Sequence, residues 1–530
     1  MAGEAMLSRR AALGWGAGAL ALAARPAWAI ADAAAAAPVD AIVRRFMEAF
    51  EIPGLGVAIV RPGEPDLLRP YGVRRLGRPE PVDVDTLFSI ASNSKAFTAA
   101  ALAMLVEEGK LGWDEPVVKY MPDFALADPA ATQMMTVRDL LCHRSGLALG
   151  AGDLMQFPKS DRTAEELLKA LPYLKLARGF RSGYAYDNIL YVVAGILVER
   201  MSGMPWTAFI ARRIFAPLGM PNAVANLPLV RTANIAGRHA RLGPPLRGFG
   251  PMSLIEPDEG PAVAAAGGIQ ASLRDAVPWL KTQLGKGQAP GLPRLWSEKQ
   301  ADEMWTPQVI TGATTGPLPE NPMRPVLQGY ALGWFVRDYR GRRLIWHSGG
   351  LSGQITQTAL LPEQGIGLVV WSNVEDSAAI SYLRYALLDH LVGAPPLDWV
   401  ATTRAAKTKN EAEARALVTS GDVRAPAGGP SLPLAAYAGR YRDPWYGDVL
   451  VREAGGRLSI DFTRTPVFKG PLEPWGPDTF RTRWPRGAGE DAIVAFTVAN
   501  GRATGIRMKA LSPLADFSYD FHDLALTRVD

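Results

Sequence analysis

The sequence predicts a mixed α/β (α+β) fold, in which an antiparallel sheet is flanked by helices and carries a helical insert, followed by a C-terminal all-β barrel-like domain. Three observations lead to this prediction. Strand patterns lie near both ends of the first 395 residues, mostly helical patterns lie between them, and short strand patterns recur after residue 434. A chain of 530 residues with 48% hydrophobic side chains also suits more than one domain.

Residues 1–29 have the pattern of an export signal peptide. Arg9 and Arg10 precede an apolar run, and residues 27–29 place alanine on each side of a tryptophan, as at a cleavage site. The arginine pair is similar to a twin-arginine signal, although Ala12 stands where a larger apolar residue is usual. The apolar run is too short to span a bilayer, which disfavours a retained anchor. We therefore expect an exported protein, periplasmic or secreted, with no stable membrane span.

The first folded domain is predicted to span residues 38–395. Its predicted sheet strands are 54–60, 66–73, 343–349, 355–361 and 366–373. Its predicted helices are 39–50, one beginning after residue 93, 189–201, 272–284 and 378–391. Because two strands lie at the start and three at the end, we expect the two chain ends to complete one sheet. A functional site is expected where this sheet meets the helical insert.

A linker is predicted over residues 396–433, and an all-β domain over residues 434–530. The linker combines a charged helical pattern at 399–417 with a stretch rich in proline and glycine. Strand patterns in the second domain cover residues 448–452, 457–462, 492–498, 503–509 and 521–529. Their short length and number indicate a sandwich or a small barrel.

Composition excludes several classes of function. The formal charge of +5 is spread without a basic run, so nucleic-acid binding has no support. The single cysteine, Cys142, rules out an internal disulfide. The five histidines show no metal-binding spacing, so we expect no metal and no cofactor. A small-molecule or peptide substrate is the expected partner, and the sequence leaves the oligomeric state open.

Ser92 and Lys95 form the only Ser-x-x-Lys in the chain. Apolar residues dominate after Asn93, so a buried helix is predicted there. On that helix the hydroxyl and the amine lie on one face about one turn apart. An amine stripped of water loses preference for its charged form, and a neutral amine can take the seryl proton. A serine cap followed by a solvated lysine is the alternative interpretation.

Three motifs follow one another along the chain. They are Ser92-Asn93-Ser94-Lys95, Tyr186-Asp187-Asn188 and His347-Ser348-Gly349. Together they resemble the serine penicillin-recognising hydrolases, the group of class C β-lactamases, D-alanyl-D-alanine carboxypeptidases, D-aminopeptidases and related esterases. The resemblance covers residues 38–395 and implies a serine β-lactamase-like fold. More weakly, the second domain is similar to a lipocalin-like barrel appended to some members. Such a barrel would occlude the cleft, stabilise the protein or pair subunits.

The resemblance implies a role for each residue of the first two motifs. Ser92 would be the nucleophile and Lys95 its proton acceptor. Tyr186 would pass the proton to the leaving group, and it is preferred to Tyr184 because an asparagine follows two residues later. Asn188 would hold the substrate amide and orient the lysine.

The third motif is implied to bind the substrate through His347, Gly349 and Gly350. The backbone N–H groups of Ser92 and Gly350 would form the oxyanion hole. β-Lactamases of this group carry lysine where this chain has His347, which puts recognition of a substrate carboxylate by a fixed charge in doubt. The alternative for His347 is a strand residue with a local hydrogen bond. His143 is a second possible base, although its place resembles a structural histidine of the family.

These observations predict an exported serine hydrolase acting on D-amino-acid peptides, amides or esters, with β-lactams a less favoured substrate. The alternative is a penicillin-binding-type receptor for cell-wall peptides with little or no turnover. An intact nucleophile, base and tyrosine favour the enzyme, because a receptor has no need of all three.

Overall fold

The computed structural model describes residues 33–243, 247–316, 322–419 and 427–530. The predicted export signal, residues 1–29, lies outside the described residues, as does the part of the predicted linker at 420–426. Within the described part of the chain, no helix combines the length and the apolar character needed to cross a bilayer.

The first domain is organised around an antiparallel sheet. Its described strands are β1 (Gly54–Val60), β2 (Leu67–Gly72), β3 (Phe88–Ser89), β4 (Arg238–Arg241), β5 (Met252–Ile255), β6 (Gln270–Ala271), β7 (Val309–Ala313), β8 (Leu327–Tyr330), β9 (Phe335–Tyr339), β10 (Arg342–Leu351), β11 (Gln354–Leu361) and β12 (Ile366–Ser372). Eight form one sheet in the order β2-β1-β12-β11-β10-β9-β8-β7, while β3 pairs with β6 and β4 with β5. Strand β1 pairs with β12, Val57 opposite Val370, so the two chain ends complete the sheet as predicted.

The sheet is wider than the five strands that the sequence predicts. Strands β7, β8 and β9 extend it beyond β10. These three strands are short, contain glycine or charged side chains, and are partly exposed. Neither a clean alternation nor an apolar run marks them. They are strands because β9 pairs with β10, β8 with β9 and β7 with β8.

Helices cover both faces of the sheet. They are α1 (Ala33–Phe50), α2 (Ser94–Glu107), α3 (Val117–Tyr120), α4 (Pro129–Met134), α5 (Ala164–Ala170), α6 (Ile189–Ser202), α7 (Trp206–Ile210), α8 (Ala216–Leu218), α9 (Ala264–Gly267), α10 (Leu273–Leu284), α11 (Glu298–Trp305), α12 (Ser377–Leu391) and α13 (Trp399–Thr419). Helices α1 and α12 pack on one face around Phe46 and Leu383. Helix α10 packs on the other face, which continues into the helical insert. A fully buried leucine stabilises such a core by about 2 kcal/mol.

Helix α2 lies at the centre of the helical insert. Every residue from Ser94 to Leu105 is buried, and α2 packs against α6 and α9. Small side chains at residues 99–101 and at Ala103 let the neighbouring helices approach closely. The beginning of α2 is therefore held rigidly, which fixes the residues that precede it.

The second domain is a closed barrel of eight strands. In chain order they are β13 (Gly439–Asp443), β14 (Gly447–Ala454), β15 (Arg457–Phe462), β16 (Lys469–Gly476), β17 (Thr479–Thr482), β18 (Ala492–Ala499), β19 (Arg502–Ala510) and β20 (Ala525–Arg528). Pairing of β13 with β20 closes the barrel, with Tyr441 opposite Arg528. Buried aromatic side chains, including Tyr446, Phe462 and Phe468, fill its interior. Eight strands enclose a space just wide enough for side chains, so the barrel is a packed core.

The barrel has three more strands than the sequence predicts. Strand β16 contains Pro471 and Pro474, which weaken its strand pattern, and β13 and β17 are short. The predicted final strand, 521–529, is a 3-10 turn at Phe521–Asp523 followed by β20. The predicted fold class is confirmed, and the barrel shares one continuous apolar core with the helical insert.

Candidate active site

Ser92 lies just before α2, in a 3-10 turn formed by Ala91–Asn93. The preceding residue, Ala91, has a φ of +49°, a left-handed conformation that costs a non-glycine residue about 1–2 kcal/mol. Ser92 is partly exposed, whereas the first three turns of α2 are buried. The turn therefore presents one hydroxyl at the surface of a buried segment.

Lys95, the second residue of α2, is fully buried, so the alternative of a solvated lysine is wrong. Its Nζ is 3.0 Å from Ser92 Oγ, 2.8 Å from Asn188 Oδ1 and 2.9 Å from the Ala266 carbonyl oxygen. Burial lowers the pKa of Lys95 to about 7, although nearby carboxylates favour the charged form. Near neutral pH, a large fraction of this amine is therefore uncharged.

The three partners of Lys95 Nζ differ in what they can do. The Asn188 and Ala266 oxygens only accept hydrogen bonds, so both must receive an N–H from the lysine. A neutral amine has two N–H groups and one lone pair. The lone pair is therefore left facing the Ser92 hydroxyl, the one partner that can give up a proton.

Tyr186 lies in the loop before α6 and lines the same cleft. Burial raises the pKa of Tyr186 well above its ordinary value, and a hydrogen bond with Ser92 opposes that rise. Lys95 Nζ lies 4.8 Å from the centre of the Tyr186 ring. The phenol is therefore protonated at neutral pH and adjoins both the serine and the lysine. The nearby Tyr184 instead packs its ring against Tyr330 and other aromatic groups.

Asn188 is engaged at both ends of its side-chain amide. Its Oδ1 accepts from Lys95 Nζ, and its Nδ2 donates to Asp153, 3.0 Å from Oδ2. The side chain thus orients Lys95, as the sequence predicts. The predicted contact with a substrate amide would require Asn188 to release one of these partners.

Asp153 is a residue of this network that sequence reasoning missed. It is fully buried at the start of a 3-10 turn, and it accepts from Asn188 and from Ser518 Oγ at 2.9 Å. Burial raises the pKa of Asp153 to about 7, while its hydrogen bonds and Lys95 act in the opposite direction. No motif surrounds this aspartate, so no local signal could have identified it.

His347 lies on β10 and lines the cleft with both ring nitrogens already engaged. Nδ1 is 2.5 Å from the Ser348 carbonyl oxygen, and Nε2 is 2.9 Å from Tyr330 Oη. Burial, together with the charge of Lys95, lowers the pKa of His347 to about 3. The imidazole is therefore uncharged near neutral pH, and its contacts fit the alternative of a strand residue with a local hydrogen bond.

Gly349 and Gly350 bring the end of β10 against the 3-10 turn. A Cβ on Gly349 would lie 2.2 Å from the Ile90 carbonyl oxygen and 2.3 Å from Thr356 Oγ1, so only glycine fits. Pairing of β10 with β9 ends at Trp346, so beyond it one edge of β10 lies beside the turn while the other edge stays paired with β11. Gly350 is exposed and lines the cleft with the serine, as the predicted oxyanion hole requires.

The cleft has a volume of about 770 Å³ and is walled by both domains. The barrel side contributes Glu490, Leu514, Asp516, Phe517, Ser518 and Tyr519. Arg247 is the one cation among the described side chains lining the cleft, and Glu375 holds it through two hydrogen bonds of 2.6 and 2.7 Å. The cleft therefore has no uncommitted positive charge in its described wall.

His143, the second possible base, is a buried structural residue. Its Nδ1 accepts from the Asp187 backbone N–H at 3.2 Å, and its ring packs 4.2 Å from that of Tyr186. Burial lowers the pKa of His143. Among the described residues, no group of three or more histidine, cysteine or acidic side chains is arranged to hold a metal ion.

Comparison with known proteins agrees with this geometry. A family model described as "Beta-lactamase" matches residues 39–391, and a "Domain of unknown function" matches residues 423–528. "Unguisins hydrolase ungD'" of Aspergillus campestris is 30% identical over 427 residues, 76% of this chain and 75% of that protein.

Solved structures show the same fold. The octameric penicillin-binding protein homologue from Pyrococcus abyssi has a TM-score of 0.56 at 21% identity, covering 90% of this chain and 98% of its own. The D-amino acid amidase from Ochrobactrum anthropi has a TM-score of 0.54 at 25% identity, covering 70% of this chain and 99% of its own. By its family match and its motifs, the chain belongs to the beta-lactamase family.

Proposed function

We propose that this protein is a serine hydrolase that forms an acyl-enzyme on Ser92 and acts on D-amino-acid peptides, amides or esters. The observation that carries the proposal is the 3.0 Å contact between Lys95 Nζ and Ser92 Oγ. The other two partners of Nζ only accept hydrogen bonds, so the neutral amine directs its lone pair at the seryl proton. A serine hydroxyl needs such a base to become a nucleophile.

Acylation begins when Lys95 takes the hydroxyl proton and Ser92 Oγ bonds to the substrate carbonyl carbon. Negative charge develops on the carbonyl oxygen, towards which the N–H groups of Ser92 and Gly350 would donate. As the bond to the leaving group breaks, Tyr186 gives its phenolic proton to the leaving nitrogen or oxygen and recovers one from Lys95. Water then attacks the acyl-enzyme with the help of the same groups, which releases the acid and restores the serine.

The charges of the cleft favour a substrate without a free carboxylate near the scissile bond. His347 is neutral, and the guanidinium of Arg247 is occupied by Glu375. Three further acidic side chains line the cleft, Asp258, Glu490 and Asp516. A carboxylate in this space would find no free cation among the described lining residues, so neutral amides, esters and internal peptide bonds are the preferred substrates.

The cleft wall and the relatives' names support an amide or peptide of D-amino acids. Apolar side chains form much of the wall, namely Leu149, Phe157, Phe335, Leu351, Ile355, Leu514 and Phe517. Such a wall suits an acyl group with a bulky apolar side chain. One relative is named an unguisins hydrolase and one structural neighbour a D-amino acid amidase.

Export is part of the proposal and is supported by the signal pattern of residues 1–29. Expression of the full chain in a bacterial host should yield a mature protein that begins near residue 30 in the exported fraction. N-terminal sequencing of that fraction checks the cleavage position, and uncleaved protein confined to the cytoplasm would contradict it.

Covalent labelling tests the nucleophile. A fluorophosphonate should add one label to the protein, and peptide mapping should find it on Ser92. The Ser92→Ala variant should not label, whereas Ser94→Ala should, because the Ser94 hydroxyl is buried and accepts from the Ile269 backbone N–H. A label on another serine, or turnover that survives Ser92→Ala, would contradict the proposal.

A substrate panel tests turnover and the substrate class. It comprises D-aminoacyl anilides, D-alanyl peptides with free and amidated C-termini, short acyl esters and a chromogenic cephalosporin. We expect the neutral D-aminoacyl amides and esters to be turned over faster than peptides ending in a carboxylate. A stoichiometric burst of product without further turnover would instead favour the penicillin-binding-type receptor.

A further inference from the structure

The barrel reaches the catalytic lysine through a segment that we call the barrel arm, residues 514–520, between β19 and β20. Asp520 accepts hydrogen bonds from the backbone N–H groups of Gly152 and Leu154, at 2.7 and 3.0 Å. Ser518 Oγ donates to Asp153 Oδ2 at 2.9 Å. Three consecutive residues of the helical insert are thus held by two side chains of the other domain.

This held turn adjoins the partner of Lys95. Asp153 accepts from Asn188 Nδ2, at 3.2 Å from Oδ1 and 3.0 Å from Oδ2. When ionised, the Asp153 carboxylate can only accept, so it fixes which end of the Asn188 amide faces it. The carbonyl end must then face Lys95, as observed. If the Asn188 amide were rotated by about 180°, its N–H groups would face the N–H groups of Lys95, and the hydrogen bond between the two side chains would be lost.

We propose that Asp153, held by Ser518 and Asp520 of the barrel arm, is a positioning residue that orients Lys95 through Asn188. The barrel is then part of the catalytic apparatus, because the base is aimed correctly only while the arm is docked. This inference rests on the proposed acyl-enzyme function.

The arm makes a second contact at the site that agrees with this role. The ring of Phe517 packs edge to face with that of Tyr186, with 6.1 Å between ring centres, and Phe517 lines the cleft. The backbone of Phe517 also meets Gly150, where an added Cβ would lie 2.7 Å from the Phe517 carbonyl oxygen. The arm therefore touches both the tyrosine and the turn that carries Asp153.

The charge of Asp153 also influences the pKa of Lys95, an effect that a purely structural role of Asp153 would not have. A carboxylate near Lys95 favours the protonated amine, and Asp187 acts in the same direction. The other groups facing the lysine are the rings of Tyr186 and Tyr191 and the neutral His143 and His347. Removing the charge of Asp153 should therefore lower the pH at which Lys95 becomes a base.

Asp153 itself is faced by two acidic groups of the barrel arm. Asp516 and the buried Asp520 lie near it, and their influence opposes that of Lys95. Burial raises the pKa of Asp520 well above its ordinary range, while its hydrogen bonds from the backbone of Gly152 and Leu154 oppose that rise. Variants that spare both residues therefore isolate the effect of Asp153.

The test is the rate of fluorophosphonate labelling of the full-length protein as a function of pH. For Asp153→Asn we expect the plateau rate to fall about a hundredfold, the effect of misaligning a catalytic group by about 1 Å. The acid limb of the profile should move to lower pH. For Ser518→Ala we expect about a tenfold fall, the effect of one hydrogen bond to a charged group, and Ser518→Thr should restore the rate.

Matched controls come from the same barrel. Ser459→Ala removes a partly exposed hydroxyl on β15, and Asp443→Asn changes a buried carboxylate that accepts from barrel backbone N–H groups. Both should retain the wild-type labelling rate and pH profile, even if Asp443→Asn lowers the melting temperature.

The outcomes separate this proposal from the proposed function. If wild-type Ser92 labels while Asp153→Asn and Ser518→Ala keep its plateau and its acid limb, the positioning role is wrong and the nucleophile stands. If wild-type Ser92 does not label, the acyl-enzyme function fails first. Should Asp153→Asn not fold by circular dichroism, the milder Ser518→Ala and Ser518→Thr pair decides the question.

Discussion

The two sides of the cleft hold their polar groups in different ways. On the helix side, Lys95 is bonded through Asn188 to Asp153, and that chain of hydrogen bonds continues into the barrel. On the strand side, His347 is bonded to Tyr330 and to its own strand. Both groups are buried, and burial favours the uncharged form of each, but the hydroxyl that faces Lys95 is partly exposed in the cleft, whereas Tyr330, the partner of His347, is fully buried.

This difference shows how burial produces two functions from similar chemistry. A buried amine beside a hydroxyl that lines the cleft can act as a base on a group that a substrate reaches. A buried imidazole whose two nitrogens are satisfied becomes part of the wall. We therefore expect changes on the helix side to affect the reaction step and changes at His347 to affect every substrate mildly and equally.

The largest effect is expected for Lys95→Ala, which should slow turnover and Ser92 labelling about 10⁴-fold because the base is lost. Lys95→Arg should be similarly inactive, since a guanidinium keeps its proton. Lys119→Ala, at an exposed lysine paired with Glu115, is the control and should be neutral. Substantial activity in Lys95→Arg would show that a positive charge, and not a base, is needed beside the serine.

Tyr186→Phe should lower turnover about a hundredfold, because the ring remains while the proton donor for the leaving group is lost. Tyr184→Phe, two residues away and also lining the cleft, is the matched control and should lose far less. Steady-state rates for a D-aminoacyl anilide measure both variants. Equal losses in the two would mean that Tyr186 is a packing residue.

The pH dependence of wild-type turnover should reflect the titration of Lys95. Burial lowers the pKa of Lys95 to about 7, so the amine is protonated and inactive below that pH and free above it. Turnover should therefore rise with pH, about tenfold between pH 6 and pH 8. Profiles of kcat/KM check this, and an acid limb near pH 4 would instead point to a carboxylate as the base.

The smallest effect is expected for His347→Gln. Because the imidazole is neutral and bonded to Tyr330, replacing it with a neutral amide should cost about threefold or less through altered wall geometry. The loss should be equal for a neutral ester and for a peptide ending in a carboxylate. A loss confined to the peptide ending in a carboxylate would show that His347 recognises charge. The proposed difference between the helix side and the strand side of the cleft would then be wrong.

Local sequence predicted the parts of the fold that have strong periodicity. Strands β1, β11 and β12 and helices α6 and α10 lie within a few residues of their predicted bounds, since each is an apolar segment with clear ends. Strands β7 to β9 and three barrel strands escaped prediction, because their residues take strand conformation from their neighbours and not from their own pattern.

The same distinction between local pattern and tertiary packing applies to the residues of the candidate site. Ser92 and Lys95 lie three residues apart where a 3-10 turn leads into α2, so spacing alone was enough to predict their contact. Tyr186, Asn188 and His347 were predicted from motifs, and the structure brings the first two to the serine and lysine. The protonation state of His347 depends on burial, which a sequence does not display.

By itself, the sequence determined the fold class and the contact between Ser92 and Lys95, because both follow from short-range periodicity and spacing. The tertiary structure alone decided that a barrel residue holds the hydrogen-bond network of Lys95. Ser518 lies 365 positions from Asp153, and no pattern in either segment marks the other. Such a contact arises only when the two domains pack, since packing brings distant polar groups within reach and removes the water that would otherwise satisfy them.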